Sequence, residues 1–261
     1  MFDRSGAVEA EAVDINKDPV TFVQLLAVLT GRKLENVGFD TTIFYEEGQR
    51  YIALPNTKAD DKNNKFRIQS IHFQRQDIVG RGTVCWDAVN ESEHREDWKR
   101  VLVKDAWVSC ARETEDAFLW EAFGVEGVSQ IVASCGFPTT TYAHRTGIRG
   151  AAFDDFRSAN HFRVVVKKEG TNVINFGTPL AFIKAFKTAI KGEFALESRV
   201  TSDALPAHHA LVKRGILHRD ISINNIIMNA DGTDGVLIDF DVAIFLEDLE
   251  YMEGHVHRTV S

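Results

Sequence analysis

The sequence lacks both a disulfide framework and a membrane-spanning run. Its three cysteines, Cys85, Cys110 and Cys135, are odd in number and have no metal-ligand spacing, which favours a reducing interior. The longest apolar stretch, residues 20–29, is too short to span a bilayer and contains Thr and Gln. The first residues have no apolar signal core. We therefore expect an intracellular protein, in the cytoplasm or the nucleus, that does not associate with membranes.

An excess of positive charge is also missing. Lysine and arginine together number 30 and aspartate and glutamate 38, so the formal net charge is −8. Such a chain has no general attraction for nucleic acid or for an anionic membrane, and any phosphate binding must be local. No ligand spacing beyond the adjacent pair at 208 and 209 is seen for five of the histidines, which we interpret as surface or core residues: His72, His144, His161, His208 and His209. Hydrophobic residues make up 44% of the chain, which is ample for one large domain or two lobes.

The most informative stretch is residues 215–241. An apolar lead-in is followed by Asp220, by Asn225 five positions later, and then by a turn and a second apolar strand ending in Asp239. A hydroxyl to be phosphorylated needs a carboxylate that orients it and accepts its proton, and Asp220 suits this task. Phosphates need oxygen ligands that hold Mg²⁺ against them, which suits Asn225 and Asp239. Each of these residues alone is a common turn former, but the joint pattern predicts a metal-nucleotide site.

Two short motifs carry a resemblance to a known family. Residues 218–225 read His-Arg-Asp-Ile-Ser-Ile-Asn-Asn, and residues 237–241 read Leu-Ile-Asp-Phe-Asp. They resemble the catalytic loop and the metal-binding segment of protein kinases, and their sequences are most similar to those of the fungal-type protein kinase family. Ser222 stands where most serine/threonine kinases carry Lys, and Asp241 replaces Gly. The resemblance implies an α+β, bilobal protein-kinase-like fold with a β-rich N-lobe and an incomplete helical C-lobe.

Two upstream features fit the nucleotide side of such a site. Gly80 and Gly82 separate strand-like stretches, and their backbone could lie over phosphates as in the glycine-rich loop of kinases. A simple hairpin turn is the alternative. Residues 101–104 form an apolar strand that ends in Lys104, which the resemblance assigns to the α- and β-phosphates of ATP. A lysine on a strand is otherwise usually a solvated edge residue.

A helix is predicted over residues 112–123, with an inward apolar stripe that includes Phe118. Glu115 lies one turn before that stripe on the same side, so we expect it to reach Lys104 and orient its ammonium group. Glu121 is the alternative partner, but it lies near the C-terminal end of the helix, where a carboxylate meets the unfavourable end of the dipole.

The predicted organisation has four parts: a loose leader at 1–18, a family-specific extension at 19–65, a kinase-like N-lobe and hinge at 66–170, and a partial C-lobe at 171–261. In the extension, a helix over residues 20–29 is expected to pack into the core rather than to form a partner surface. Residues 193–207 interrupt the helix that precedes the catalytic loop in kinases. They contain Pro206, which cannot sit inside a helix without breaking it. We interpret them as an insertion, and translated intron is one hypothesis for its origin.

The first functional hypothesis is MgATP-dependent phosphoryl transfer to a protein Ser/Thr hydroxyl. In it Asp220, Lys104 and Asn225 have catalytic roles, and ATP and Mg²⁺ are the cofactors. A small-molecule phosphotransferase of the aminoglycoside or choline kinase type is the alternative, although Arg219 argues against it because those enzymes favour a small residue there. The third hypothesis is a non-catalytic, pseudokinase-like fragment, because no Ala-Pro-Glu-like segment follows and the chain is expected to stop after the start of the activation segment. The oligomeric state is not indicated.

Overall fold

The computed structural model describes residues 2–4, 6–7, 12–31, 34, 38–54, 64–77, 79–145, 158–190 and 207–248. The chain divides into two compact units. Unit 1 comprises residues 1–110 and 135–163, and unit 2 comprises residues 111–134 and 164–261. Apart from its last residue, the predicted insertion at 193–207 lies outside the described residues, as does most of the predicted activation segment. The predicted lobe boundaries stay a prediction.

Short strands and helices alternate along the chain. In order they are β1 (Phe2–Asp3), β2 (Gly6–Ala7), α1 (Pro19–Leu29), β3 (Ile43–Glu46), β4 (Gln49–Ala53), β5 (Lys65–Gln74), β6 (Val84–Asn90), α2 (Glu96–Lys99), β7 (Arg100–Ser109), α3 (Glu115–Glu121), β8 (Ile131–Thr140), α4 (Thr141–Arg145), β9 (Ala159–Lys167), α5 (Pro179–Ile190), α6 (Ala207–Lys213), β10 (Ile216–Leu217), β11 (Ile226–Met228), β12 (Gly235–Leu237) and β13 (Ile244–Phe245). Two 3₁₀ turns cover Val173–Asn175 and Ile223–Asn225.

Seven strands form one sheet, in the order β3-β4-β5-β6-β7-β9-β8. Neighbours from β3 to β7 pair antiparallel, so each is joined to the next by a reversal of the chain. Strands β8 and β9 begin in one unit and end in the other. The mixture of helices with this sheet agrees with the predicted α+β class, whereas the bilobal arrangement stays a prediction.

Strand β7 is longer than the sequence predicted. It was expected to end at Lys104, but it continues to Ser109. The alternation of buried and less buried side chains continues past the lysine to Asp105 and then shifts by one position, because Asp105 and Ala106 are both buried. Val103 and Asp105 are both buried on one face, while Lys104 lies on the other face and is half-buried. A buried aspartate continues the inward series because it has a cationic partner.

That partner is Arg163 on β9, whose side chain is completely buried in unit 1. Its Nε and Nη2 donate to the two carboxylate oxygens of Asp105, at 2.6 and 2.7 Å. Its Nη2 also donates to Asp40 at 2.7 Å, and its Nη1 donates to the Thr42 hydroxyl at 2.8 Å and the Ala53 carbonyl at 2.7 Å. A guanidinium carries five N–H donors, so every one of them is satisfied.

The position of Ala53 requires the sheet to curl. Strands β4 and β9 are four positions apart in the sheet, which in a flat sheet is about 19 Å. Arg163 nevertheless bonds Ala53 directly, so the sheet closes around this side chain. Burial raises the pKa of Asp40, but the hydrogen bond from Thr42 and the charge of Arg163 outweigh it, and the pKa is lowered overall. The Asp40 carboxylate is therefore ionised in the folded state.

Helix α1 contradicts one expectation. It forms where predicted, with the side chain of Asp18 accepting the backbone N–H of Thr21 at 3.1 Å, but none of its residues is buried. The exposed apolar residues, at 44% to 66% exposure, are Val20, Val23, Leu25, Leu26, Val28 and Leu29. The prediction of core packing is therefore wrong, because the apolar residues occur on all sides of the helix. No helix among the described residues is both long and apolar enough to cross a membrane.

Unit 2 packs two helices against small hairpins. Phe118 and Leu119 of α3 are buried, as their spacing predicted. Ala185 of α5 is also buried and lies directly on β12, where Gly235 permits the approach because an added Cβ would overlap the Ala185 carbonyl oxygen. Leu180 of the same helix is exposed, so only part of its apolar stripe faces inward.

Replacing Arg163 with Met should destabilise unit 1 strongly. The substitution leaves the buried Asp105 carboxylate without its cation, and breaking a buried ion pair typically costs about 3–5 kcal/mol. Urea unfolding of Arg163→Met, compared with Arg100→Met at the exposed start of β7, the strand that carries Asp105, measures the effect. Equal unfolding midpoints for the two variants would contradict the importance of this network.

Candidate active site

Asp220 and Asn225 are joined within one loop of unit 2. The Asn225 side chain is buried, and its Nδ2 donates to the Asp220 carboxylate at 2.8 Å and to the Asp220 carbonyl at 3.1 Å. Asp220 itself is exposed. Because both amide hydrogens are used in this way, the Asn225 Oδ1 is the atom that can accept a further bond or ligate a metal. The asparagine thus holds the carboxylate and keeps an oxygen available.

A tight hairpin brings Asn225 and Asp239 to the same place. Asn225 directly precedes β11, and Asp239 follows β12, which pairs antiparallel with β11. The backbone N–H of Ile238 donates to the Asn225 carbonyl at 2.9 Å and extends the pairing by one step. The residues between them, 226–238, are therefore closed into a loop by the hairpin, as the sequence pattern suggested.

His218 links the loop that carries Asp220 to the segment that carries Asp239. Its side chain is fully buried, with Nδ1 3.3 Å from the backbone N of Asp220 and Nε2 3.1 Å from the carbonyl oxygen of Ile238. An N–H must donate and a carbonyl must accept, so the imidazole carries its proton on Nε2 and is neutral. Burial lowers the pKa of His218, although the Ile238 carbonyl and the nearby carboxylates act in the opposite direction. The neutral form is the one that both bonds require.

Two residues of the site adopt left-handed backbone conformations. Arg219 has φ 68° and Asp239 has φ 66°, and among the described residues only Glu47 shares this property outside glycine. Side chains larger than glycine rarely occupy this region, and when they do the surrounding structure must hold them there. The bonds made by His218 lie next to both positions, so they can supply that support.

Three carboxylates gather beside the hairpin. Glu115, Asp239 and Asp241 each bring an oxygen within 4.8 Å of the others. Hard oxygen donors of this kind suit Mg²⁺, and the three carboxylates are chemically suited to the cation that the resemblance implies. Asp241, noted in the sequence as a replacement for glycine, therefore adds a third acid to the predicted metal region.

Glu115 also makes a contact that the sequence did not predict. Its carboxylate accepts the backbone N–H of Phe240 at 3.2 Å, and it is buried, whereas Glu121 is exposed. The phenyl ring of Phe240 is itself buried and meets His218 edge-on at 4.7 Å. The helix carboxylate thus holds the residue that follows Asp239. Its predicted pairing with Lys104, which belongs to unit 1, stays a prediction.

In unit 1 the structure relates Lys104 to the glycine-containing turn. Lys104 lies directly across the sheet from Cys85 on β6, the strand that follows Gly80 and Gly82. Both glycines have positive φ, 102° and 52°, which explains why glycine is needed there. The association of these three residues with the carboxylates of unit 2 stays a prediction.

The N-terminal segment contacts this turn. The N–H of Gly80 donates to the Arg4 carbonyl at 2.7 Å, and the Arg4 side chain donates to the Asp77 carbonyl at 2.6 Å. The guanidinium also fills the space over Gly82, where an added Cβ would overlap it. At least one residue of the predicted loose leader is thus bound to the body of unit 1.

The sequence model of the family described as fungal protein kinase matches residues 1–201 and 196–260. The chain belongs to the fungal protein kinase family. Membership confirms the predicted resemblance and identifies the chain as kinase-like, a class that uses ATP to transfer phosphoryl groups. The two matched segments overlap at residues 196–201, inside the predicted insertion, whose nature stays a prediction. No curated protein matches the chain.

Several important contacts were missed by the sequence reasoning. Neither bond of His218 was foreseen, although His-Arg-Asp was recognised, because a backbone partner leaves no mark on sequence. The Arg163 network was also missed. Asp105 gave a signal, since an acidic residue inside an apolar strand needs a cation, but its partner lies 58 residues away.

Acidification should weaken the folded state through His218. The pKa of His218 is lower in the folded state than in the unfolded state, where it is about 6.5. The stabilisation is therefore complete above pH 6.5 and is lost as the pH falls from there towards the folded pKa. In urea unfolding, the stability difference between the native chain and His218→Phe should narrow between pH 7.5 and 5.5. A control substitution of the exposed His94 by Gln should keep the native pH dependence, and a widening difference would refute the assignment.

Proposed function

We propose that this chain is a MgATP-dependent phosphotransferase whose acceptor is a protein Ser/Thr hydroxyl. The observation that carries the proposal is the bonding of the Asn225 amide to the Asp220 carboxylate, on a hairpin that ends at Asp239. The site thus contains a candidate base, Asp220, and two candidate metal ligands, Asn225 and Asp239. Phosphoryl transfer requires groups of both kinds. Family membership supplies the reaction class.

Each residue has one role in the proposal. The exposed Asp220 orients the acceptor hydroxyl and accepts its proton as the new bond to phosphorus forms. Asn225 and Asp239 would hold Mg²⁺, which neutralises charge on the phosphates of ATP. Lys104 contacts the α- and β-phosphates, Glu115 orients it, and the backbone at Gly80 and Gly82 covers the triphosphate. These last roles follow from the resemblance and from membership in the family.

The small-molecule alternative has one observation in its favour. Asp241 belongs to the carboxylate cluster, and an additional acid at this position is a feature of aminoglycoside and choline kinase types. Arg219 opposes it. Transfer from labelled MgATP to a serine/threonine peptide library, run beside amino-alcohols and aminoglycosides, separates the two acceptor classes. Labelling of peptides alone supports the proposal, and labelling of a small molecule alone supports the alternative.

The setting proposed for the enzyme is intracellular. All three cysteines are free thiols, and the net charge of −8 opposes general binding to nucleic acid or anionic membranes. The proposed partner is therefore a protein substrate.

Loss of the Asp239 carboxylate should abolish nucleotide binding. At a MgATP concentration of about 100 times Kd, binding stabilises a protein by about 2.7 kcal/mol, which thermal unfolding detects. Asp239→Ala should lose this stabilisation because it removes a ligand of the metal. Asp231→Ala, in the exposed turn of the same hairpin, is the matched control and should keep it. A thermal shift that survives in Asp239→Ala would mean that the nucleotide binds elsewhere.

Removing the base should affect chemistry more than binding. Asp220→Asn keeps the shape of the side chain but cannot accept the proton, and loss of a general base typically lowers the rate about 10²–10⁴-fold. The MgATP-dependent thermal shift should remain. Labelled phosphate transfer measures the rate. MgATP binding with no transfer to any acceptor by the native chain would instead favour the non-catalytic hypothesis.

A further inference from the structure

Helix α3 has little to hold it in place by itself. It is only seven residues long, and the side chain of its N-cap residue, Thr114, makes no capping hydrogen bond. Helices shorter than about 12–15 residues are marginal in water, so such a helix depends on tertiary contacts. The orientation of Glu115 at its first position therefore depends on what fixes the rest of the helix.

Its C-terminal end is held by Arg214. The Nη1 of this guanidinium donates to the carbonyl of Glu121 at 2.5 Å and to that of Phe123 at 2.8 Å. Carbonyls at the end of a helix have no partner within the helix, and the dipole there favours a cation. One side chain thus satisfies two acceptors that would otherwise need water.

Arg214 occupies the start of the segment that leads into the catalytic loop. It follows α6, and the next residue, Gly215, has φ 76° and begins the turn into β10. The loop at His218 follows directly. The contact between Arg214 and α3 therefore joins the helix that carries Glu115 to the lead-in of the loop that carries Asp220.

Two further contacts connect the same elements. Strand β10 pairs with β13, and Phe245 of β13 meets Phe118 of α3 with ring centroids 4.7 Å apart. At the opposite end of the helix, Glu115 accepts the N–H of Phe240. Trp120 in the last turn also donates to the Ser134 hydroxyl at 3.3 Å, but Arg214 is the contact that ties this end of α3 to the lead-in of the catalytic loop. Losing it would therefore free the C-terminal end of the helix to shift relative to that lead-in.

We propose that Arg214 is a positioning residue that sets the placement of α3 and, through it, the bond from Phe240 to Glu115. Because Phe240 follows Asp239, the same contact fixes the approach of the metal-binding aspartate to the site. Its effect on phosphoryl transfer rests on the proposed function. Its effect on the Phe240 amide does not.

Amide hydrogen exchange tests the positioning directly. In Arg214→Ala, the Phe240 amide should exchange about tenfold faster than in the native chain, because the two hydrogen bonds from the guanidinium to the end of the supporting helix are lost. Amides of β11 and β12 should keep their native rates. Arg214→Lys retains a cation without the planar fork and should recover part of the protection. Lys213→Ala, an exposed cation one position earlier, is the matched control and should behave as the native chain.

Kinetics supply a second readout. With an accepted substrate, kcat/KM for MgATP should fall about tenfold in Arg214→Ala and partly recover in Arg214→Lys, while the unfolding midpoint stays close to that of Lys213→Ala. A Phe240 amide that exchanges equally in Arg214→Ala and Lys213→Ala overturns the inference, whatever the kinetics. A native chain without transfer activity rejects the proposed function only, because the amide measurement still decides the role of Arg214.

Discussion

The arrangement of the candidate site depends on an imidazole that stays uncharged. One ring nitrogen of His218 accepts the backbone N–H of Asp220 while the other donates to the carbonyl of Ile238. A second ring proton would face a backbone donor, so the protonated form cannot make both contacts. Burial favours the neutral form by removing water that would stabilise the cation. The loop of the proposed base and the loop of the proposed metal ligand are in this way held by a group without net charge.

Unit 1, in contrast, buries a polar side chain in its charged form. Arg163 remains fully charged in the interior because two carboxylates, a hydroxyl and a carbonyl accept all five of its N–H groups. A charge removed from water is tolerated only where its attraction and hydrogen bonds replace hydration. Two of the acceptors, Asp40 and Thr42, come from the part of the sequence interpreted as a family-specific extension. Strands β3 and β4 of that part of the sequence are therefore integral to the sheet.

Local pattern carried much of the prediction. A short apolar run ending in Lys104 found the start of β7, period-3.6 spacing found α3, and the motif around Asp220 and Asp239 identified residues that the hairpin brings together. Sequence could not set the end of β7, because burial of Asp105 depends on a partner 58 residues away. It also could not foresee that α1 is exposed, since a helix with apolar residues on all sides has no single inward face. Contacts to backbone atoms, such as those of His218 and Arg214, leave no residue-type signal at all.

The Arg163 contacts also constrain the order in which the chain can assemble. Its partners at Asp40 and Asp105 lie 123 and 58 residues earlier in sequence. Bringing such distant residues together costs loop entropy before any contact forms, and this generally slows folding. During synthesis on the ribosome, both aspartates emerge well before their common cation. Until then the first strands would expose unpaired edges, which makes this interval the one in which the nascent chain is most open to mispairing.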